Sequence, residues 1–184
     1  MLKTLNEWDE ALLVFLNNLG TETFDGFWLF VTRIESWTAL FVFFSLLVFY
    51  FYKRKKGLLV FGFAVLAFAI TFLLTHVTKV GVGRLRPNNV DELAELLRVL
   101  QDPTSFSFFS GHASSSFAIV TFLVCAIRPF NKWVYVAYVW PLLFAMSRIY
   151  VGVHYPSDIL IGAVVGTLIA ILCYKICKRL LRKF

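Results

Sequence analysis

The chain has 184 residues, 59% of them hydrophobic and 16% charged, with a formal net charge of +7. Soluble domains run at about 45–50% apolar and about 25% charged, so this composition excludes a disordered chain and argues against a soluble one. The modest basic excess beside 21 phenylalanines also argues against a nucleic-acid binder. At about 100–200 residues per domain, residues 1–184 form one domain.

Residues 1–35 differ from the rest. Leu2, Leu5, Trp8, Leu12, Leu13 and Leu16 recur at helical spacing, opposite Asn6, Glu7, Asp9 and Glu10. This predicts an interfacial helix over Lys3–Leu19, followed by a second short helix over Phe24–Ile34. Early acids, and no basic leader before an apolar stretch, argue against a cleaved signal peptide.

Five uncharged apolar runs follow: Thr38–Tyr52, Gly57–Thr75, Ala113–Ile127, Trp133–Met146 and Ile159–Tyr174. Basic residues stop or flank them, at Lys53-Arg54-Lys55-Lys56, Arg128, Arg148 and the tail from Lys175. A span takes about 20 apolar residues. Gly57–Thr75 approaches that unaided, and the other runs reach it by recruiting flanking residues such as Trp37, His112 and Tyr150. The expected fold is an all-α, polytopic membrane helix bundle. It has five transmembrane helices in 36–184 and interfacial helices in 1–35. A sixth crossing requires part of 11–37 to span, which Asn17, Asn18, Gly20, Glu22 and Asp25 disfavour. Between the second and third spans, Val90–Leu100 reads as a short amphipathic helix, either a lid or a solvated connector.

Charge sets the expected orientation. Connections 53–56 and 128–132 and the tail from Lys175 hold eleven Lys or Arg and no acid, whereas all eleven acidic residues fall on the opposite side. By the positive-inside tendency, the basic C-terminus is cytoplasmic, in an inner (cytoplasmic) membrane. Loop 76–112 and the turn 148–158 then face outward. Cys125, Cys173 and Cys177 read as apolar packing, and Gly162-x-x-x-Gly166 as a close helix contact inside the bundle.

That outer side gathers an unusual set of polar residues. Lys79, Arg84, Arg86 and Pro87 follow the second span, and Ser110-Gly111-His112 opens the third. Ser147-Arg148 closes the fourth, followed by His154 and Asp158. Cations outnumber the single nearby carboxylate, and the surplus suits an anion such as phosphate, which Arg grips bidentately. Ser110-Gly111 at a helix start supplies backbone N–H groups for the same anion. His112 and His154 can divide nucleophile and general-acid work. Asp158, four residues after His154, can fix its tautomer. Arg84 reads equally as a headgroup or loop contact and as a site residue, and His76 as structural.

Lys79-x6-Arg86-Pro87, then Ser110-Gly111-His112, then Ser147-Arg148-x5-His154-x3-Asp158 resembles the tripartite motif of the type 2 phosphatidic acid phosphatase family. That family shares its anion site with vanadium haloperoxidases and bacterial nonspecific acid phosphatases. Phe109 stands where the family usually has proline. The resemblance implies that His154 attacks phosphorus to give a phosphohistidine, Asp158 orients it, and His112 protonates the leaving oxygen. It further implies that Lys79, Arg86, Ser110, Gly111 and Arg148 hold the phosphoryl group, with no metal or cofactor. The implied activity is hydrolysis of a membrane lipid phosphate or diphosphate. Undecaprenyl diphosphate leads, ahead of phosphatidylglycerol phosphate, phosphatidic acid and lipid A. A phosphotransferase using the same site, and a non-enzymatic anionic-lipid transporter or scaffold, are the other two classes.

Overall fold

Apolar runs without charge become helices here, and the polar breaks between them set where each helix ends. A computed structural model describes residues 2–183. The helices are α1 (Leu2–Asn18), α2 (Glu22–Thr32), α3 (Thr38–Phe51), α4 (Arg54–Val82), α5 (Asp91–Ala94), α6 (Gly111–Ile127), α7 (Val139–Tyr150) and α8 (Pro156–Leu181). Short 3-10 turns lie at Ile34–Trp37, Pro87–Asn89 and Lys132–Tyr138, and no strand occurs among the described residues. The side chains of Leu2 and Lys3 lie outside the described ones.

Three helices are long and apolar enough to cross a membrane: Ile34–Phe51, the α4 segment and α8. The protein is thus an all-helical membrane bundle. α6, of 17 residues, is shorter. The fourth apolar run is not one α-helix. It begins as the 3-10 segment Lys132–Tyr138 and becomes α-helical only at Val139. Pro141 explains the start, because proline lacks the N–H that a helix interior needs and fits the first turn.

α4 runs past both ends of its predicted stretch, which carries Lys79 onto its last turn. Gly83, at φ +63°, closes that turn with its N–H on the Lys79 carbonyl at 3.0 Å, the left-handed cap that glycine permits. Val90–Leu100 departs from expectation: only Asp91–Ala94 is helical. Beyond it the backbone bonds elsewhere. Arg98 N–H donates to Asn17 Oδ1 at 2.7 Å and Leu100 N–H to the Val151 carbonyl at 3.2 Å. The segment is therefore strapped across α1 and the end of α7.

α6 is the centre of the bundle, with Ala118, Val120 and Phe122 fully buried. Its hydroxyls return to its own backbone, Ser115 Oγ to the Gly111 carbonyl and Ser116 Oγ to the His112 carbonyl, each at 2.6 Å. Polar groups are thereby satisfied without water. α8 lies parallel against α6 through Gly162 and Gly166. A Cβ on Gly162 would stand 2.7 Å from the Ser110 carbonyl oxygen, and one on Gly166 would collide with that of Ser114. The glycine pair is used inside the bundle.

α1 splits its apolar residues between two surroundings. Leu13 is fully buried in a cluster with Leu93, Ile149 and Tyr155, and Leu16 packs against it. Leu5, Trp8 and Leu12 stay exposed. The three cysteines are free thiols, Cys173 and Cys177 buried and Cys125 partly so.

Candidate active site

Because consecutive long helices alternate in direction, the C-terminal ends of α4 and α7 meet the N-terminal ends of α6 and α8. The basic residues at the start of α4, after α6 and at the end of α8 occupy the opposite end.

The centre of the site is a chain of three side chains. Pro156 sits at the first position of α8 and Asp158 at the third. Asp158 Oδ2 accepts from the Tyr155 N–H at 3.1 Å, so the carboxylate caps the helix. The same oxygen lies 3.1 Å from His154 Nδ1 and accepts from Ser107 Oγ. On the other side of the ring, Arg86 Nη1 lies 3.0 Å from His154 Nε2. A guanidinium only donates, so Nε2 must present its lone pair and the ring proton sits on Nδ1, facing Asp158. His154 and Asp158 are buried, at 1% and 0% exposure. Burial, then the positive charges of Arg86, Arg148, Lys79 and Arg84, hold the imidazole well below its ordinary pKa. His154 is therefore neutral, with its Nε2 lone pair accepting from Arg86.

Of the remaining motif residues, Arg86, Arg148 and Lys79 lie close enough for their charges to act on the His154 ring. Arg86 is fixed by Ser105, through Nε to its carbonyl at 2.7 Å, and by Nη1 to the Val153 carbonyl at 2.9 Å. Lys79 Nζ donates to the carbonyls of Phe106 and Ser107, the latter at 3.0 Å. Arg148 Nη1 donates to Thr32 Oγ1 and to Gln101 Oε1, at 2.5 and 2.8 Å. Its Nε is buried with no protein partner, an unmet donor of the kind a phosphoryl oxygen satisfies. Ser110 caps α6 by accepting from the Ala113 N–H at 3.4 Å, and its own N–H donates to the Asp158 carbonyl at 3.0 Å. With Ser107 N–H on the Arg84 carbonyl at 2.8 Å, the loop at Phe109 is held by backbone bonds to two other parts of the site. Those bonds, with Phe109 itself buried, fix the loop where proline would otherwise stiffen it.

His112 stands apart from the central chain. Its Nε2 lies 3.1 Å from the Thr32 carbonyl, which can only accept, and its ring stacks on Phe144 at 4.4 Å. Nε2–H is thus committed to Thr32, which leaves Nδ1 for proton transfer. Residue patterns pointed to neither Thr32, Gln101, Ser105 nor Ser107, because each reaches the site from a segment with no motif of its own. Arg84 proves to be an ion-pair residue, bonded to Asp158 and Asp9 at 2.9 and 2.8 Å. Among the described residues, no group of three His, Cys, Asp or Glu side chains gathers as a metal cage.

A cavity of about 270 Å³ opens beside Lys79 and His112, lined also by His76 and, on deeper turns of α4, by Phe72 and Phe68. Phe68 and Phe144 also line a second cavity of about 190 Å³ that reaches Phe41 and Trp140. The polar site therefore continues into an apolar furrow along α4. From Lys79 to Phe68 it descends about 16 Å at 1.5 Å per residue.

The PAP2 superfamily model matches residues 60–182 of this chain. A lipid A 4'-phosphatase of Bacteroides thetaiotaomicron is 30% identical over 98% of this chain and 81% of its own length. An undecaprenyl-diphosphatase of Sulfolobus acidocaldarius is 31% identical over 95% of this chain and 72% of its own. Among solved structures, a transmembrane PAP2-type phosphatidylglycerolphosphate phosphatase from Bacillus subtilis superposes with a TM-score of 0.72 at 26% identity, covering 96% of this chain and 87% of that one.

Proposed function

This chain belongs to the PAP2 superfamily, and from that premise we propose that it is a membrane lipid phosphatase working through a phosphohistidine on His154. The observation that carries the reading is the Asp158–His154–Arg86 chain, which sets the tautomer and directs a neutral Nε2 lone pair at Arg86. Arg86 turns from Nε2 to the phosphoryl group when substrate enters. Nε2 then attacks phosphorus in line, forming an N–P bond as the P–O bond to the leaving group breaks. The oxygen that departs takes the Nδ1 proton of His112, which enters this step as the imidazolium, its charge balanced by the incoming phosphoryl group, and leaves it neutral with Nε2–H still on the Thr32 carbonyl. In the second half-reaction His112 accepts a proton from water, the water oxygen attacks phosphorus, and the N–P bond breaks to release phosphate. Lys79, Arg86, Arg148, Ser110 and the Gly111 N–H stabilise the phosphoryl oxygens in both transition states. The chemistry asks for no metal.

The furrow beside the site supports a lipid substrate, since a tail lying against Phe72 and Phe68 remains in the apolar region while its phosphate meets Lys79. Undecaprenyl diphosphate is the leading substrate, which makes the enzyme a recycler of a carrier lipid. Charge asymmetry supports an outward-facing site above a five-span bundle in the cytoplasmic membrane. A lipid A 4'-phosphate is the second reading, favoured by the Bacteroides relative that matches 98% of this chain.

The test is phosphate release in detergent with EDTA, from undecaprenyl diphosphate, phosphatidylglycerol phosphate, phosphatidic acid and lipid A. We expect one lipid to be turned over fastest, EDTA to leave the rate unchanged, and His154→Ala to abolish release. Loss of turnover in EDTA would overturn the metal-free route, and full activity in His154→Ala would overturn the nucleophile.

A further inference from the structure

Asp9, on the N-terminal helix α1, reaches the catalytic end of the bundle. Its side chain is 11% exposed and its Oδ2 accepts from Arg84 Nη2 at 2.8 Å. Its Oδ1 accepts from the Ser157 N–H at 2.9 Å, and the Ser157 hydroxyl donates to Oδ2. Arg84 spans the gap to the site. Its Nη1 donates to Asp158 Oδ1 and to Ser157 Oγ, both at 2.9 Å, while its guanidinium lies 3.6 Å over the Tyr155 ring. One fork therefore joins the carboxylate on α1 to the carboxylate that orients His154.

The division of labour at Asp158 follows from its two oxygens. Oδ2 receives Ser107, the Tyr155 N–H and His154, and Oδ1 receives Arg84 alone. An arginine with no other partner would draw the Asp158 charge toward itself and weaken its hold on the imidazole. Asp9 balances Arg84, so the guanidinium fixes the rotation of the carboxylate without taking its whole charge. Asp9 also supplies the anion at the first turn of α8, where the helix dipole favours one. The outer face of α1 carries exposed Leu5, Trp8, Leu12 and Phe15 at three- and four-residue spacing, continued by exposed Leu19 just past its end, an apolar stripe suited to a bilayer surface.

We propose that Asp9 and Arg84 are positioning residues, through which α1, seated on the membrane surface, holds the His154–Asp158 pair in its reactive arrangement. This rests on the reading of His154 as the nucleophile. The charged and titratable groups around His154 are Lys79 of α4, Arg84 and Arg86 of the loop after it, His112 of α6, Arg148 of α7 and Asp158 of α8. Asp9 of α1 lies behind Arg84. Removing the Arg84 cation raises the His154 pKa, and removing the Asp9 anion behind it lowers that pKa. The two substitutions therefore displace the titration in opposite directions, a response that loss of fold alone does not produce.

The experiment uses the full chain in detergent with Asp9→Asn, Arg84→Ala, the double variant and His154→Ala. Turnover is measured on the lipid hydrolysed fastest in the phosphate-release panel, across pH. The His154 titration is followed separately by nuclear magnetic resonance, which three histidines make tractable. Asp9→Asn, close to isosteric, guards against misfolding. We expect kcat to fall about tenfold in each single variant with KM within twofold, and the double variant to be no slower than Arg84→Ala. We expect the titration to move up in Arg84→Ala and down in Asp9→Asn. Titrations that stay put or move together, losses confined to KM, or multiplicative losses in the double variant would each overturn the proposal. If His154→Ala keeps full turnover while the two titrations still diverge, the nucleophile assignment falls and the positioning role in catalysis falls with it, whereas unmoved titrations beside an inactive His154→Ala overturn the positioning role alone.

Discussion

At the scale of the residue, the decisive feature is that His154 is both buried and unprotonated. Desolvation disfavours its charged form, and four nearby cations add to that. Arg86 completes the arrangement by donating to the very nitrogen a proton would occupy. The sign of the pH dependence follows. As pH falls through the His154 pKa, Nε2 gains a proton, loses its lone pair and repels Arg86, so activity declines. Because that pKa lies below the ordinary value of about 6.5, the acid limb that His154 governs in the kcat/KM profile should lie in solution more acidic than 6.5. A pH profile with its acid limb at or above 6.5 would contradict this. That the three motifs converge was legible from sequence, because their residue types, their spacing and the alternation of spans put them at one end of the bundle. Their partners were not. Thr32 meets Arg148 across 116 residues of chain, and Asp9 meets Ser157 across 148. Such pairings leave no local period to read.

At the scale of the element, α6 and α8 pack so closely that their contact includes Ser110 at the start of α6, part of the proposed anion seat. Gly162 faces the Ser110 carbonyl, while Gly166, one turn deeper, faces that of Ser114. A methyl group at either position pushes on backbone rather than on a flexible side chain. We expect Gly166→Ala to cost about 1–3 kcal/mol as overpacking, read as a lower unfolding temperature in detergent. Gly162→Ala should depress phosphate release more than it depresses unfolding temperature, since it displaces Ser110 and Gly111. Gly62→Ala, with nothing within 4 Å of the added Cβ, is the control and should change neither. Helix boundaries show the limits of composition. α4 outruns its apolar stretch at its C-terminal end, where Gly83 closes it in the left-handed conformation, and the backbone of the 90–100 segment is bonded to Asn17 instead of continuing as helix. The fourth run starts as a 3-10 helix because of Pro141. At each of these places a single residue acts on backbone, which hydrophobic periodicity does not register.

At the scale of the whole molecule, a net charge of +7 conceals a division. Alternating helices place Lys53, Arg54, Arg128 and the tail from Lys175 at one end, and Lys79, Arg86, Arg148 and Asp158 at the other. Every acidic residue belongs with the second group in the five-span reading, so the motif cations stand on an otherwise acidic side. If the basic end is cytoplasmic, loop 88–109 faces outward together with the site. Replacing Cys125, Cys173 and Cys177, which pack within or beside the bundle, gives a background for single cysteines. A cysteine at exposed Glu92 should then react with a membrane-impermeant maleimide added to intact cells, and one at exposed Lys132 only after permeabilisation. The reverse pattern would turn the bundle over, and with it the leaflet that supplies substrate. Reaction of both from outside would mean that α6 and α7 do not carry the chain across as paired spans. Short as it is at 17 residues, α6 is the helix on which that outcome turns, because it links the motif end of the bundle to Arg128 at the basic end.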